Sequence, residues 1–487
     1  MSGFKKKLKK TLPNWLYAPL LPIYHYGRAV SAGMKYGHPA KDLKVIGVTG
    51  TNGKTTTATY IASILRATGA KVGLATTAQF QIGDETWDNE LNTTVTNPYT
   101  VQKLLRRMKD AGVEWVVMEV TSHALTQYRV HGIQFHTAVM TNLTRDHLDY
   151  HGTMEKYAAA KARLLKMAKF EVVLNYDDDW FDYFAKASHQ AQFTYGTNIE
   201  CDVQLLKANL RADGSKIMFK YGNSEVVANL HLPGKFNVYN AMGAAATGLG
   251  LELSPETVAK GLEALEAVPG RMEKIDEGQN FAVVVDYAHD GDAFRKVFES
   301  IKPLTKGSLI AVFGGEGERD PGRWSGMGEA AGELCDIAVI TDDEPLHEDP
   351  SKIRQAIAES VAKGGNAKLF EIADRYEAIA KAFKLAKPGD TVMLLALGHQ
   401  KFRLVGDKRL PWDDRAVARE LLGGKPANLP EIELEEKVPV ELPKNEEKET
   451  DKEEKSESHH KNHEQKSDAK ESKKELSEVD SSVEDKG

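Results

Sequence analysis

Cysteine is scarce in this chain of 487 residues: there are two, Cys201 and Cys335. Thiols so far apart make neither a metal-type spacing nor a disulfide framework, which fits a reducing, cytoplasmic setting. Long apolar runs are missing too. No stretch approaches the ~20 residues that a membrane-spanning helix needs. The basic start is not followed by the continuous apolar region and small-residue cleavage site of a secretory signal. An excess of positive charge is also lacking, since the net charge is −7, and nothing in that balance calls for a nucleic-acid partner. Large apolar residues almost vanish from Asn445 to Gly487. A segment so poor in them cannot offset its chain entropy, so residues 425–487 are expected to form a disordered charged tail, open to an unidentified partner.

What the chain does have is a hydrophobic content of 41%, enough for substantial cores in a chain of two or three domains. Its most informative stretch is Lys44 to Thr57, KVIGVTGTNGKTTT. Val45 to Val48 reads as a buried strand, Thr49 to Gly53 as a glycine turn, and Ala58 to Thr68 as a helix. Strand, glycine turn, Lys-Thr and helix make a phosphate cradle. Gly50, Thr51, Asn52 and Gly53 let backbone N–H groups approach phosphate oxygens. Lys54 adds a point charge, and Thr55 or Thr56 offers a hydroxyl to Mg²⁺. Val48 stands where the usual P-loop has its first glycine, so the loop is a variant.

Residues 1–43 combine a lysine run, Lys5 to Lys10, with Trp15, Tyr17, Leu20, Leu21, Ile23, Tyr24 and Tyr26. Lysines beside interfacial aromatics could contact an anionic membrane surface. An arm packed on the body of the protein is the other reading, since Pro13, Pro19 and Pro22 are expected to break a long amphipathic helix.

Strands and helices alternate through the middle of the chain. Val113–Val120, Ala138–Leu143 and Glu171–Asn175 read as strands and Met154–Met167 as a helix. Such alternation predicts an α/β fold with a mostly parallel sheet. Asp202 to Leu232 reads instead as an antiparallel patch with turns at Asp213-Gly214 and Gly222-Asn223. A second α/β run follows Pro269-Gly270-Arg271, with strands at Phe281–Val285, Leu309–Phe313, Ile337–Thr341, Lys368–Ile372 and Thr391–Leu397. The expected organisation is an arm (1–43), a P-loop ATP-binding domain (44–270), a second Rossmann-like domain (271–424) and the tail (425–487).

Polar chemistry gathers at strand ends. Glu119 closes VVMEV and is well placed to hold Mg²⁺, and Thr141 to Asp149 (TNLTRDHLD) forms a dense cluster where a sheet's carboxyl end makes a crevice. Lys161 lies on the following helix. Taken singly, Glu119 could form a salt bridge, His147 could cap a helix and Lys161 could be solvated; beside a P-loop they read as a site.

GTNGKTT, EVTSHAL, TNLTRDHLDYHG and YAAAKARLL, in this order, resemble the Mur ligases of peptidoglycan synthesis. The branch most similar adds the third residue of the stem peptide. The resemblance continues through LPGKFNVYNAMGAA, VPGRME, DYAH and VFGGEGERDPGR to WDDRAVARELL, covering roughly residues 44–422. It implies that Lys54 binds ATP phosphates, that Thr55 and Glu119 hold one Mg²⁺, and that His147 helps hold a second. Lys161 matches the lysine that becomes carbamylated. Asn240 would face the adenine, and Arg271 and Asp286 would reach ATP from the second domain. Thr93, Thr94 and Ser122 match contacts to the muramoyl-peptide acceptor. The implied reaction is ATP-dependent amide formation through an acyl phosphate.

The sequence departs from the family at several places. Only 43 residues precede the P-loop domain, where the family carries a domain that grips the UDP moiety; this leaves room for a different, lipid-linked acceptor. The diaminopimelate-adding motif Asp-Asn-Pro-Arg is Asp343-Glu344-Pro345-Leu346 here. Leu346 cannot pair with a distal carboxylate, whereas Glu344 could receive an amine, as in lysine or ornithine. Gly-Lys-Gly-His-Glu becomes Ala396-Leu397-Gly398-His399-Gln400, and Asp290-Gly291-Asp292 lacks the proline that usually follows DYAH. A folate polyglutamate-like ligase and a silent nucleotide-binding scaffold are the alternative functions.

Overall fold

The computed structural model describes residues 14–89, 94, 97–211, 213–320, 322–365 and 367–423, with side chains from residue 20 onward. The lysine run, Thr93 and the charged tail lie outside the described residues.

The chain opens with helix α1 (Asn14–Tyr36), which runs through Pro19 and Pro22. This corrects the expectation that the prolines would break it. Each proline removes one rung of the backbone ladder, and contacts from outside hold the helix in place. The Tyr99 hydroxyl donates to Ser31 Oγ at 3.0 Å, the Arg28 guanidinium lies 5.7 Å from the Tyr99 ring, and the Tyr26 and His131 rings meet at 4.7 Å. No helix among the described residues is long and apolar enough to cross a membrane.

The first lobe begins with β1 (Lys44–Thr49) and α2 (Lys54–Ala67), then β2 (Val72–Ala75), β3 (Gln79–Ile82) and β4 (Glu85–Asp88). After α3 (Pro98–Asp110) come β5 (Trp115–Glu119), α4 (Ser122–Thr126), β6 (Phe135–Met140), α5 (Leu148–His151) and α6 (Met154–Met167). Next are β7 (Ala168–Asn175), α7 (Phe181–Ala187), β8 (Ala191–Gly196), β9 (Val203–Arg211), β10 (Gly214–Tyr221) and β11 (Ser224–Leu230). Helices α8 (Lys235–Gly250) and α9 (Pro255–Glu263) complete this lobe.

Its sheet has the order β11-β10-β9-β8-β7-β6-β1-β5-β2-β3-β4. The centre is parallel, with β1 between β5 and β6. The expected antiparallel patch is there as β9-β10-β11, and a second, unexpected one is β2-β3-β4. Val45, Ile46 and Val48 are fully buried, as a strand covered on both faces requires.

The second lobe contains β12 (Glu273–Ile275), β13 (Ala282–Val285), α10 (Gly291–Ile301), β14 (Leu309–Phe313), α11 (Gly322–Leu334) and β15 (Ile337–Ile340). It continues with α12 (Pro350–Gly364), β16 (Lys368–Glu371), α13 (Arg375–Leu385) and β17 (Thr391–Leu394). A hairpin of β18 (Phe402–Val405) and β19 (Lys408–Pro411) precedes α14 (Asp414–Leu421). The sheet order is β12-β13-β17-β14-β15-β16, parallel except for β12. Phe294, Phe298 and Phe313 belong to the core on one face, and Ile379, Trp412 and Val417 to the core on the other.

Residues just beyond the carboxyl ends of β1, β5, β6 and β13 line one large cavity of about 1000 Å³. This is where a parallel sheet leaves its crevice.

Candidate active site between the two lobes

The loop after β1 is shaped by two close approaches. Gly50 has φ +151°, and a Cβ there would stand 1.8 Å from Thr141 Oγ1. Gly53 has φ +83°, and a Cβ there would stand 2.1 Å from Asn240 Oδ1. Only glycine fits either position. Helix α2 starts at Lys54 rather than at the expected Ala58. Lys54, Thr55 and Thr56 therefore form its first turn, whose N–H groups have no partner within the helix and make an anion site.

Around that turn the polar groups are tightly wired. Lys54 Nζ donates to Thr51 O at 2.6 Å and lies 4.0 Å from Glu119 Oε1. Thr55 Oγ1 donates to Glu119 Oε2 at 2.8 Å. The same oxygen accepts from Thr77 N at 3.1 Å and Thr77 Oγ1 at 3.2 Å. From the second lobe, Arg271 Nη2 donates to Thr55 Oγ1 at 3.2 Å while its guanidinium lies 4.4 Å from the Tyr287 ring. Asn240 is buried on α8 and accepts from Thr57 Oγ1 at 3.4 Å. Asp286 caps the backbone, accepting from Met272 N at 2.7 Å and Ala288 N at 2.8 Å.

Lys161 lies on α6 at 1% exposure. Its Nζ donates to Gly50 O at 2.6 Å and sits 4.4 Å from the centre of the Tyr157 ring. Burial, reinforced by the charge of Lys54, holds this amine well below the usual lysine pKa. His147 has φ +54°. Its Nε2 lies 3.3 Å from Asp146 Oδ2, and its Nδ1 is buried with no partner among the described residues. Burial lowers its pKa as well, so the imidazole is neutral.

The other expected residues fall in three places. Thr94 and Ser122 are buried and do not line the cavity; Ser122 Oγ pairs with His151 Nε2 at 2.9 Å. Glu344 lines the cavity's far side, and Asp343 lines a small pocket beside it. Burial pushes Asp343 up to about 7; burial and its neighbour Asp343 push Glu344 up to about 8. His399 is buried and lies 4.9 Å from the Tyr287 ring.

Sequence reasoning passed over the residues that tie the lobes together. Asp292 Oδ2 accepts from Asn52 Nδ2 at 3.3 Å, from Thr144 Oγ1 at 3.1 Å and from Lys296 Nζ at 2.7 Å. Arg323 Nη2 lies 3.0 Å from Asp146 Oδ1. Arg323 was visible in GERDPGR, but nothing local says that it reaches the loop after β6.

Comparison with known proteins decides what this cavity belongs to. Residues 48–248 match the Mur ligase middle domain, and residues 270–398 match the Mur ligase glutamate ligase domain. The chain is 39% identical over 401 residues to a UDP-N-acetylmuramoyl-L-alanyl-D-glutamate–2,6-diaminopimelate ligase of Syntrophomonas wolfei, with 82% of each chain covered. It is 40% identical over 422 residues to a UDP-N-acetylmuramyl-tripeptide synthetase of a Roseiflexus species, covering 82% of this chain and 83% of that one. The chain belongs to the Mur ligase family. As a Mur ligase it is an ATP-dependent enzyme that forms carbon–nitrogen bonds. A solved diaminopimelate-adding ligase superposes with a TM-score of 0.55 at 30% identity, covering 78% of each chain. A folylpolyglutamate synthase of Mycobacterium tuberculosis shares the fold at a TM-score of 0.64 and 18% identity, covering 84% of this chain and 99% of that one. The two matched Mur ligase segments are the two lobes that face each other across the cavity.

Proposed function

We propose that this Mur ligase joins an amino acid to a muramoyl-peptide acceptor through an acyl phosphate. The observation that carries the reading is the convergence of the α2 first turn, Glu119 and His147 with Arg271 of the second lobe around one cavity, with Lys161 buried behind the glycine turn at Gly50 O. The acceptor carboxylate attacks the γ-phosphate of ATP, forming a carboxyl–phosphate bond and releasing ADP. The amine of the incoming amino acid then attacks the acyl carbon, the tetrahedral species collapses, and phosphate leaves as the amide forms. Lys54 and the N–H groups of the first turn hold the phosphates. Arg271 and Asp286 bring the second lobe to the nucleotide, and Asn240, beside Gly53, is the residue for the adenine. Closing the lobes keeps water from the acyl phosphate.

The donor set fits magnesium. Thr55 and Glu119 already share a hydrogen bond that an ion would replace, and His147 Nδ1 is a buried nitrogen lacking a partner among the described residues. The low basicity of Lys161 favours the neutral amine that captures CO₂, turning a cation into a carboxylate. Magnesium, when bound, would offset the repulsion between carboxylate and triphosphate. Glu344, on the cavity wall, and Asp343, in the pocket beside it, would receive the incoming amino acid.

The diaminopimelate ligases among the relatives raise the question of the third residue. Leu346 argues for an amino acid without a distal carboxylate, such as lysine or ornithine. Supplying UDP-muramoyl-dipeptide, ATP and a panel of amino acids tests both points. Tripeptide formed with lysine or ornithine is expected; no amide product with any amino acid overturns the assignment, and preference for diaminopimelate overturns the pocket reading.

The N-terminal segment adds a surface contact. On α1, Leu20, Ile23, Tyr26 and Met34 are exposed, Ile23 at 67% and Met34 at 63%. They follow five lysines in sequence, the combination that anionic lipid attracts, and would bring a lipid-linked acceptor within reach. Full-length protein should co-sediment with anionic but not zwitterionic vesicles, and Ile23→Asp with Met34→Asp should release it. No sedimentation of the unaltered chain sinks this contact.

A further inference from the structure

Asp146, His289 and Asp290 meet where the two lobes face each other. Asp146 follows β6, while His289 and Asp290 lie between β13 and α10. One donor atom from each lies within 4.8 Å of the other two. Each of the three side chains keeps a donor after its internal bonds are counted. Asp290 Oδ1 accepts from Ala293 N at 2.9 Å and caps α10. Its Oδ2 is buried with no partner among the described residues, on a residue only 2% exposed. His289 Nδ1–H donates to Tyr287 O at 2.7 Å. That bond fixes the tautomer and leaves the Nε2 lone pair as the nitrogen donor, the arrangement by which proteins orient metal-binding histidines. Burial lowers the His289 pKa to about 4, so the ring is neutral.

Asp146 Oδ1 takes Arg323 Nη2 at 3.0 Å, Arg323 Nε at 3.1 Å and His147 N at 2.7 Å. The remaining oxygen, Oδ2, has among the described residues only the 3.3 Å approach of His147 Nε2. Arg323 therefore bonds Asp146 from one side, while Asp290 feels the Arg323 charge only at longer range and keeps Oδ2 without a hydrogen-bond partner among the described residues. An unpaired buried carboxylate beside another is costly unless a cation comes between them.

We propose that Asp146, His289 and Asp290 form a further cation site that bridges the lobes and takes a first-row divalent ion such as Mn²⁺ or Zn²⁺. One imidazole nitrogen with two carboxylate oxygens is a donor set suited to these ions. The site shares no ligand with the magnesium set of Thr55, Glu119, His147 and Lys161, which it adjoins where Asp146 meets His147, and does not depend on which acceptor the ligase uses. Metal–donor bonds of about 2.0–2.2 Å hold donors within ~4.3 Å of one another. Uptake would join a donor of the first lobe to two of the second and so favours the closed arrangement.

The test is a Mn²⁺ titration of nucleotide-free, full-length protein in excess Mg²⁺, followed by calorimetry and electron paramagnetic resonance. One Mn²⁺ per chain is expected, with a nitrogen coupling in the pulsed spectrum. Asp290→Asn keeps the α10 cap and should weaken binding at least about tenfold. His289→Gln should weaken it similarly and remove the nitrogen coupling. Glu119→Gln should leave the titration intact. Circular dichroism checks that each variant is folded. The proposal is overturned if no stoichiometric binding is found, if both second-lobe variants bind as the unaltered chain does, or if Glu119→Gln alone removes the ion.

Discussion

Lys161 and Glu344 are two residues whose chemistry is changed by burial. Among the described residues Lys161 has its one hydrogen-bond acceptor in Gly50 O, and it lies where a cation is disfavoured. A neutral amine there is a nucleophile for CO₂; a protonated one is not. Lys161→Ala should lower turnover at least about 10²-fold, the scale for losing one charge-stabilising group at a reacting centre, and added bicarbonate should not restore it. Phosphate release by the variant at the original rate would rule out the carbamate. Glu344 behaves in the opposite sense. Its folded pKa is raised to about 8 from the usual 4.5, so between those values the folded chain holds a proton that the unfolded chain has lost. Its contribution to stability is complete below about pH 4.5 and is lost as pH rises through about 8. The protonated acid has a partner available, because Gln400 Oε1 is buried with none among the described residues and the amide can turn to accept. Glu344→Gln should flatten the fall in melting temperature between about pH 5 and 8, read by thermal unfolding across that range; an unchanged slope would refute this. Glu344 could be singled out in the sequence because DEPL departs from a family pattern. Its burial could not, since that depends on Leu404 N, which donates to it at 3.0 Å across 60 positions.

Elements were legible where one physical signal dominated. The continuous apolar runs behind β1, β5 and β14 announce strands covered on both faces, and the 3.6-residue pattern of α6 gives a helix at its observed ends. The β2-β3-β4 ribbon escaped because Gln79, Gln81, Glu85 and Thr86 interrupt its apolar residues, and an edge ribbon needs only one covered face. Helix α1 escaped for the opposite reason: its prolines are a strong local signal that packing against α3 overrides. The WDDR stretch illustrates a third case. It reads as a family signature, and the structure makes it a clamp. Arg375 and Asp414 are both fully buried and paired at 2.6 Å, and Trp412 Nε1 donates to the same carboxylate at 2.8 Å. Arg375 Nη2 also donates to Leu395 O at 2.7 Å, tying α13 to the strand end beside the cavity. Arg375→Met would strand a buried carboxylate, at a cost of about 3–5 kcal/mol. Denaturant unfolding should register that loss, and a change below about 1 kcal/mol would show that the pair does not anchor the lobe.

At the scale of the whole molecule, the cavity depends on both lobes. Asn52 and Thr144 of the first lobe share Asp292 of the second, and Arg271 reaches Thr55 across 216 positions. The phosphate cradle could be read from fourteen consecutive residues, Lys44 to Thr57, because its chemistry is local. Asp292, Arg323 and the Asp146–His289–Asp290 group could not, because each gains its meaning from the opposite lobe. Two lobes meeting over a phosphate loop suit a reaction in which an activated carboxylate must be shielded from water before an amine arrives. The most direct measurement of that claim uses an acceptor peptide labelled with ¹⁸O in its terminal carboxylate, incubated with ATP and the amino acid. Transfer of one labelled oxygen into the released phosphate, with release requiring both acceptor and amino acid, is the predicted result. Phosphate free of label, or released at the same rate without acceptor, would contradict the acyl-phosphate mechanism.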